Sequence, residues 1–285
     1  MDTPSSVLDL AYSDRQLIVV TDDAVLEATE KAELAALNDQ RTVNWARLGE
    51  AAAKVVFGST GLLLAEVTRE ALKAWGRARA SGLQVRQVGK SQAGHIAFPP
   101  GHPREGVLYI GHPAHPNVYY TTAAFHRATF EHKFSEAIRI LMHLGATRLR
   151  VEHVIGWSSE FKSRLTVPLG DPDGTLGVEG RSGQSSGSQL LYEATLDGRS
   201  QPELPKDLAW YPHEPTWHTI ADGRMNFGLR TFSLSVAYED DYRVNAGLKA
   251  AVLKAGLELG GSFEDHEATV WKIAGEFSGS KPESA

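Results

Sequence analysis

Four of the chain's eleven histidines fall between Gly111 and His132, in "GHPAHPNVYYTTAAFHRATFEH". Histidine titrates near neutrality and its neutral imidazole ligates metals, so proton transfer and metal binding are the chemistries to weigh. His112 and His115 are three residues apart in a loop stiffened by Pro113 and Pro116, where both rings can reach one divalent transition metal. A third ligand has to come from His95, His102 or a carboxylate remote in sequence. His126 and His132 are six apart on a segment of helical periodicity. Helix neighbours share a face at spacings of three or four, so these two do not share an ion and are expected on the helix surface.

A further histidine lies in "RLRVEHVIG". Strand alternation puts Leu149, Val151, His153 and Ile155 on one face, and Arg148, Arg150, Glu152 and Val154 on the other. Among aliphatic neighbours, His153 is expected in the core with its ring nitrogens paired internally. The loop that follows, "GWSSEF", brings Ser158, Ser159 and Glu160 to a strand end, where functional loops often sit. The candidate catalytic residues are therefore His112, His115, His153 and Glu160, and the candidate metal ligands are His112 and His115. No other cofactor is expected.

Other motifs fail on inspection. "GKS" (89–91) has Gln84 where a phosphate loop needs glycine. "YPHEPTWH" (211–218) carries the letters of a zinc-protease helix, but three residues, not two, separate Glu214 from His218. Pro215 also opposes the helical regularity that signature requires. "DPDG" (171–174) lacks a later ligand at calcium-loop spacing and reads as a turn. No nucleophile elbow of the form G-x-S-x-G is present.

Composition narrows the class. Zero cysteines exclude disulfides and thiolate metal sites and suit a reducing compartment. The first residues show no basic-then-apolar signal, which points to the cytoplasm. A net charge of −6 argues against a general nucleic-acid surface. Protonating all eleven histidines would carry the balance from −6 to +5.

These candidates need a scaffold. "LIVV" (17–20) reads as a buried strand, and Thr21, Asp22 and Asp23 as the start of a helix running to Leu37. Trp45, Leu48, Ala52 and Val55 make a helical stripe, and after "GSTG" Leu64, Val67, Ala71, Ala74 and Ala78 make another. The apolar stretch across that break is shorter than the roughly 20 residues that span a bilayer. Residues 83–116 read as one strand, "VLYI", among ordered loops. A helix follows, with Phe130, Phe134, Ile138 and Leu141 inward, Arg127, Glu131, Glu136 and Arg139 outward, a Thr121 or Thr122 cap, and Gly145 at its end.

Strands dominate next, including a hairpin with a Gly/Ser-rich tip (about Gly180 to Gln189) expected to be mobile. Its return strand, "LLYEATL", is expected to put Leu190, Tyr192, Ala194 and Leu196 on one face. The aromatic segment 200–226 reads as a packed crossing loop. Phe232, Leu234, Val236 and Tyr238 line one face of a strand, a helix covers 245–255, and Trp271, Ile273 and Phe277 mark the last strand.

The expected class is α+β, with N-terminal helices packed on a mixed, mainly antiparallel sheet that carries two further helices. Residues 1–82 form the helical N-terminal region, 83–278 an α+β body with a strand–helix–strand pseudo-repeat, and 279–285 a frayed tail. With no complete catalytic motif, the leading expectation is a non-catalytic cytoplasmic protein. It would bind a protein partner through mobile and aromatic elements, with membrane association after a conformational change. The alternative is a metal- or histidine-dependent hydrolase built on the His112/His115 loop.

Overall fold

The computed structural model describes residues 7–38, 44–50, 63–98, 103–156 and 189–278. The longer helices among them are α1 (Asp23–Asn38), α2 (Leu63–Ala80), α3 (Phe125–His143), α4 (Pro215–Phe227) and α5 (Ala246–Ala255). The strands are β1 (Leu17–Thr21), β2 (Val85–Gly89), β3 (Leu108–Gly111), β4 (Tyr119–Thr121), β5 (Ala146–Ile155), β6 (Gln189–Thr195), β7 (Thr231–Tyr238) and β8 (Thr269–Phe277). The fold is α+β, built on two four-stranded sheets rather than one. The chain divides into two compact units, Met1–Thr129 with Asp241–His266, and Phe130–Asp240 with Glu267–Ala285.

In the first unit the sheet order is β2-β1-β3-β4. β1 and β2 run parallel, from Leu17 opposite Val85 to Thr21 opposite Gly89, while β1–β3 and β3–β4 are antiparallel. A parallel pair needs a long crossover, which α1, the helical residues 45–50 and α2 supply. Both sheet faces are covered. Val19, Val85, Leu108 and Ile110 pack with Ala74, Trp75 and Ala78 of α2 and with Leu248, Val252 and Ala255 of α5. Ile18, Val20, Val88 and Tyr109 meet Val7, Ile96 and Phe98 on the other side.

Local chemistry sets the element ends. Asp22 starts α1 by accepting the Ala24 N–H at 3.1 Å, and Asn245 starts α5 by accepting from Gly247 and Leu248. Gly256 ends α5 in the left-handed conformation at φ +82°. The expected threonine cap before α3 does not form. Thr121 makes no side-chain cap bond, because Thr122 instead donates its hydroxyl to the Leu108 carbonyl at 2.8 Å.

The second unit carries the antiparallel sheet β6-β5-β8-β7. Its inner face presents Leu149, Val151, Trp271, Ile273, Phe232, Leu234 and Val236. Trp271 meets the rings of Phe130 and Phe134 from α3 edge-on, each at 4.8 Å between centroids. Residues 215–227, expected within a crossing loop, are α4. Pro215 is its first residue, where a missing N–H costs nothing, so the proline starts this helix instead of forbidding it. Residues 52–62, 157–188 and 279–285, with the Gly/Ser tip up to Ser188, lie outside the described residues.

Glu136 departs most from expectation. Placed outward by helical spacing, it is 5% exposed, and its carboxylate accepts the N–H groups of Ala209, Trp210 and Tyr211, each at 2.8 Å. Truncation would strand three donors inside the protein. Glu136→Ala should therefore destabilise the chain by about 3 kcal/mol or more, and Glu136→Gln, which keeps one acceptor oxygen, by about 1–2 kcal/mol, as read by urea denaturation.

Candidate functional site

The loop histidines stand close together, and the loop enlists the His112 ring and the main chain of both. The His112 N–H donates to the Val118 carbonyl at 2.8 Å, and the Val118 N–H returns to the His115 carbonyl at 3.3 Å. His112 Nδ1 accepts the Ala114 N–H at 3.0 Å, which leaves Nε2 to carry the proton of the neutral ring. The two rings meet edge to face with centroids 6.4 Å apart. Arg15 closes the base of the loop by donating to the Pro116 carbonyl at 3.0 Å. The pair supplies two imidazoles for a metal that needs at least three protein ligands. Among the described residues, no three histidine, aspartate or glutamate side chains are grouped to hold an ion. His102 and Glu160 lie outside those residues.

"GKS" does form a strand-to-helix corner, and Asp23 fills it. The Asp23 carboxylate accepts the Ser91 N–H at 3.1 Å and the Ser91 hydroxyl at 2.9 Å. The position an anion would take is thus held by the chain's own carboxylate. Gly89 makes room for it, since a Cβ there would sit 2.2 Å from Asp23 Oδ1.

His126 is not on the surface as its spacing suggested; it is fully buried. Its Nε2 meets the Val244 carbonyl, and its ring lies 5.2 Å from that of His266. The segment it grips is unusual: Tyr242 and Arg243 have φ of +47° and +61°, left-handed values that non-glycine residues seldom adopt. Side chains hold it there. Gln16 Nε2 donates to the Tyr242 carbonyl at 2.8 Å, while Asp241 accepts the Arg243 N–H at 2.8 Å and the Asn245 amide at 3.0 Å. The buried ring fastens this carbonyl. Sequence spacing could not reveal this, because the partner carbonyl lies 118 residues away.

His153 also fastens backbone, at the end of β5. Its Nε2 lies 2.7 Å from the Gly156 carbonyl. Gly156 takes φ +84° and passes so close to β8 that a Cβ would meet Thr269 Oγ1 at 2.3 Å. Between these two pinned residues, Val154 and Ile155 are 44% and 50% exposed. The expected alternation had put Ile155 inside with Leu149 and Val151. A register shift between His153 and Ile155 instead sets it opposite Val270, a residue of the outer face. A second shift, between Val151 and Glu152, leaves Leu191 of β6 without an opposite residue and buries it, against the face expected from alternation.

The rest of that outer face is charged, with Arg148 on Glu193 at 2.7 Å and Arg150 on Glu152 at 2.8 Å. The hydrogen bond from Arg148 holds the Glu193 carboxyl below its ordinary pKa. The aliphatic pair therefore stands at the tip of a polar sheet face. No family model matches the chain, and no curated protein or solved structure matches it.

The buried histidine has a pH signature. Burial pulls the His126 pKa below the ordinary value, and neighbouring His266 pulls it further, against the opposing carbonyl, Asp265 and Asp241. The unfolded chain therefore takes up a proton below about pH 6.5 that the folded chain refuses. Desolvation and Arg199 shift His143 the same way. Stability should be fully present above about pH 6.5 and fall as pH drops through that window, by up to about 1.4 kcal/mol per pH unit for the buried His126, with partly exposed His143 adding little. His126→Gln should flatten the profile measured by thermal unfolding between about pH 7.5 and 5.5; an unchanged slope would assign the effect elsewhere.

Proposed function

We propose that this chain is a non-catalytic cytoplasmic protein that binds a protein partner through the aliphatic tip of β5. The carrying observation is the exposure of Val154 and Ile155 at 44% and 50%, on backbone pinned from both sides by the His153–Gly156 contact. Adjacent large aliphatics fixed in water lose solvent-exposed apolar area on docking and little conformational entropy. The His126 and His153 rings meet backbone carbonyls and His112 accepts a backbone N–H of its own loop, which supports a binding role over a hydrolytic one. The cysteine-free composition supports the cytoplasm.

A photo-crosslinking residue at position 155 should give an adduct of defined mass in cells, one that Val154→Asp removes. The same residue at exposed Ser200, beyond edge strand β6, should give none. Adducts at both positions, or at neither, would overturn the reading. So would a near-stoichiometric transition metal in the untagged protein that is lost on replacing His112 and His115 by alanine.

Buried His126 favours a second reading, in which acid charges the ring, frees the strained 241–245 segment and promotes membrane association. No helix among the described residues is long and apolar enough to cross a membrane, so such a form would rest on the bilayer surface. Dye release from anionic liposomes should then rise as pH falls from about 7.5 to 5 and weaken in His126→Gln. Release that ignores pH or the substitution would end that reading.

A further inference from the structure

Among the described residues the second sheet has two edge strands, and only one of them is defended against pairing. β6 carries Glu193, paired to Arg148, and the register shift beside Leu191 interrupts its ladder. Charge and bulges are the usual means by which an edge strand is kept from pairing with another chain. β7, "TFSLSVAY", has no charge and no proline, and it pairs with β8 through eight consecutive positions without a shift.

The direction of its main-chain groups follows from one bond. The Phe277 N–H donates to the Arg230 carbonyl at 2.8 Å, so even-numbered residues of this strand face β8 and odd-numbered ones face away. Consistently, the outward Ala237 carbonyl is taken from the other side by Lys133, at 2.8 Å. That bond closes the far end of the edge. The outward main-chain groups of Thr231, Ser233 and Ser235 are left, and among the described residues no hydrogen bond reaches them.

This stretch is complementary to itself. Read antiparallel about Ser233, Thr231 falls opposite Ser235, Ser233 opposite Ser233, and Phe232 opposite Leu234. Hydroxyls then meet hydroxyls on the outer face and apolar side chains meet on the inner one, both favourable cross-strand pairs. The flanks agree. Exposed Arg230 precedes the strand, and exposed Glu239 and Asp240 follow it. Antiparallel pairing brings the basic end of one copy towards the acidic end of the other, whereas parallel pairing would set like charges together.

We propose that the free edge of β7 joins two copies of this chain about a twofold axis at Ser233, making one continuous eight-stranded sheet. The pairing forms about six main-chain hydrogen bonds, two for each of its outward pairs.

The chain has no cysteine, which makes a direct test available. At the axis, Ser233→Cys places two thiols on residues with Cα atoms about 5.5 Å apart, within disulfide reach. Ser235→Cys would meet its own copy only at about 13 Å, four residues off register. Under mild oxidation of the full-length protein, Ser233→Cys should form covalent dimer roughly a hundredfold faster than Ser235→Cys or exposed Ser200→Cys, because the axis holds its thiols at high effective concentration. Sedimentation velocity should show a dimer for the wild-type chain and a folded monomer for Ser233→Pro, which removes the outward donor yet suits an edge strand.

A wild-type monomer at every concentration would overturn the proposal and point to a foreign strand as the occupant. A dimer unaffected by Ser233→Pro, or equal crosslinking at positions 233 and 235, would overturn it as well.

Discussion

One carboxylate organises much of the second unit. Glu136 turns from α3 to receive three consecutive backbone N–H groups at the end of a long irregular segment, and so fixes where Trp210 and the start of α4 can lie. Lys133, one helical turn earlier, holds Glu214 at 2.5 Å and the end of β7 at 2.8 Å. Arg224 on α4 donates to the carbonyls of Leu144 and Leu229 and to the Ser278 hydroxyl. The common constraint is that buried backbone polar groups need partners. Where the chain leaves helix and ladder, ionic side chains supply them with stronger, charge-assisted bonds.

The first unit solves the same problem with neutral, cationic and anionic groups, Asp241 and Asp23 among them. His126 and Gln16 hold adjoining carbonyls of the 242–244 turn, and Arg15 holds the loop of His112 and His115. Two successive left-handed residues would be poor local choices by themselves. They persist because contacts from residues distant in sequence over-determine them. Of the histidines that looked most like chemistry, His112 accepts a backbone N–H of its own loop and His153 meets the Gly156 carbonyl.

What was legible in the sequence follows from this division. Elements whose apolar residues recur with a clean period were readable: β1, the Phe130–Leu141 stripe of α3, β7, α5 with its Asn245 cap and Gly256 stop, and β8. They depend on burial, which periodicity encodes. β2 was not readable, because Val85, Gln87 and Val88 have no strand alternation; the strand exists through its parallel pairing with β1. α4 hid behind Pro215, which marks a break or a beginning according to what precedes it. Glu136 and His126 were assigned to the surface because residue type suggested polarity and spacing suggested exposure. Their partners lie 73 to 118 residues away and could not be inferred from local pattern. Ile155 failed for a different reason: one register shift moves a side chain across the sheet, and no residue type announces it.

The same physics explains why the exposed features bear the functional reading. A side chain committed to a buried carbonyl cannot readily exchange that bond for a substrate, since release leaves an unpaired group in the interior. The fastening side chains are therefore poor candidates for turnover and good ones for rigidity. Rigidity gives exposed apolar groups value, because a pinned Val154–Ile155 pair loses little entropy when covered. On this reading the chain spends its ionisable residues holding irregular backbone in place, and presents uncharged, geometrically fixed surfaces to whatever it binds.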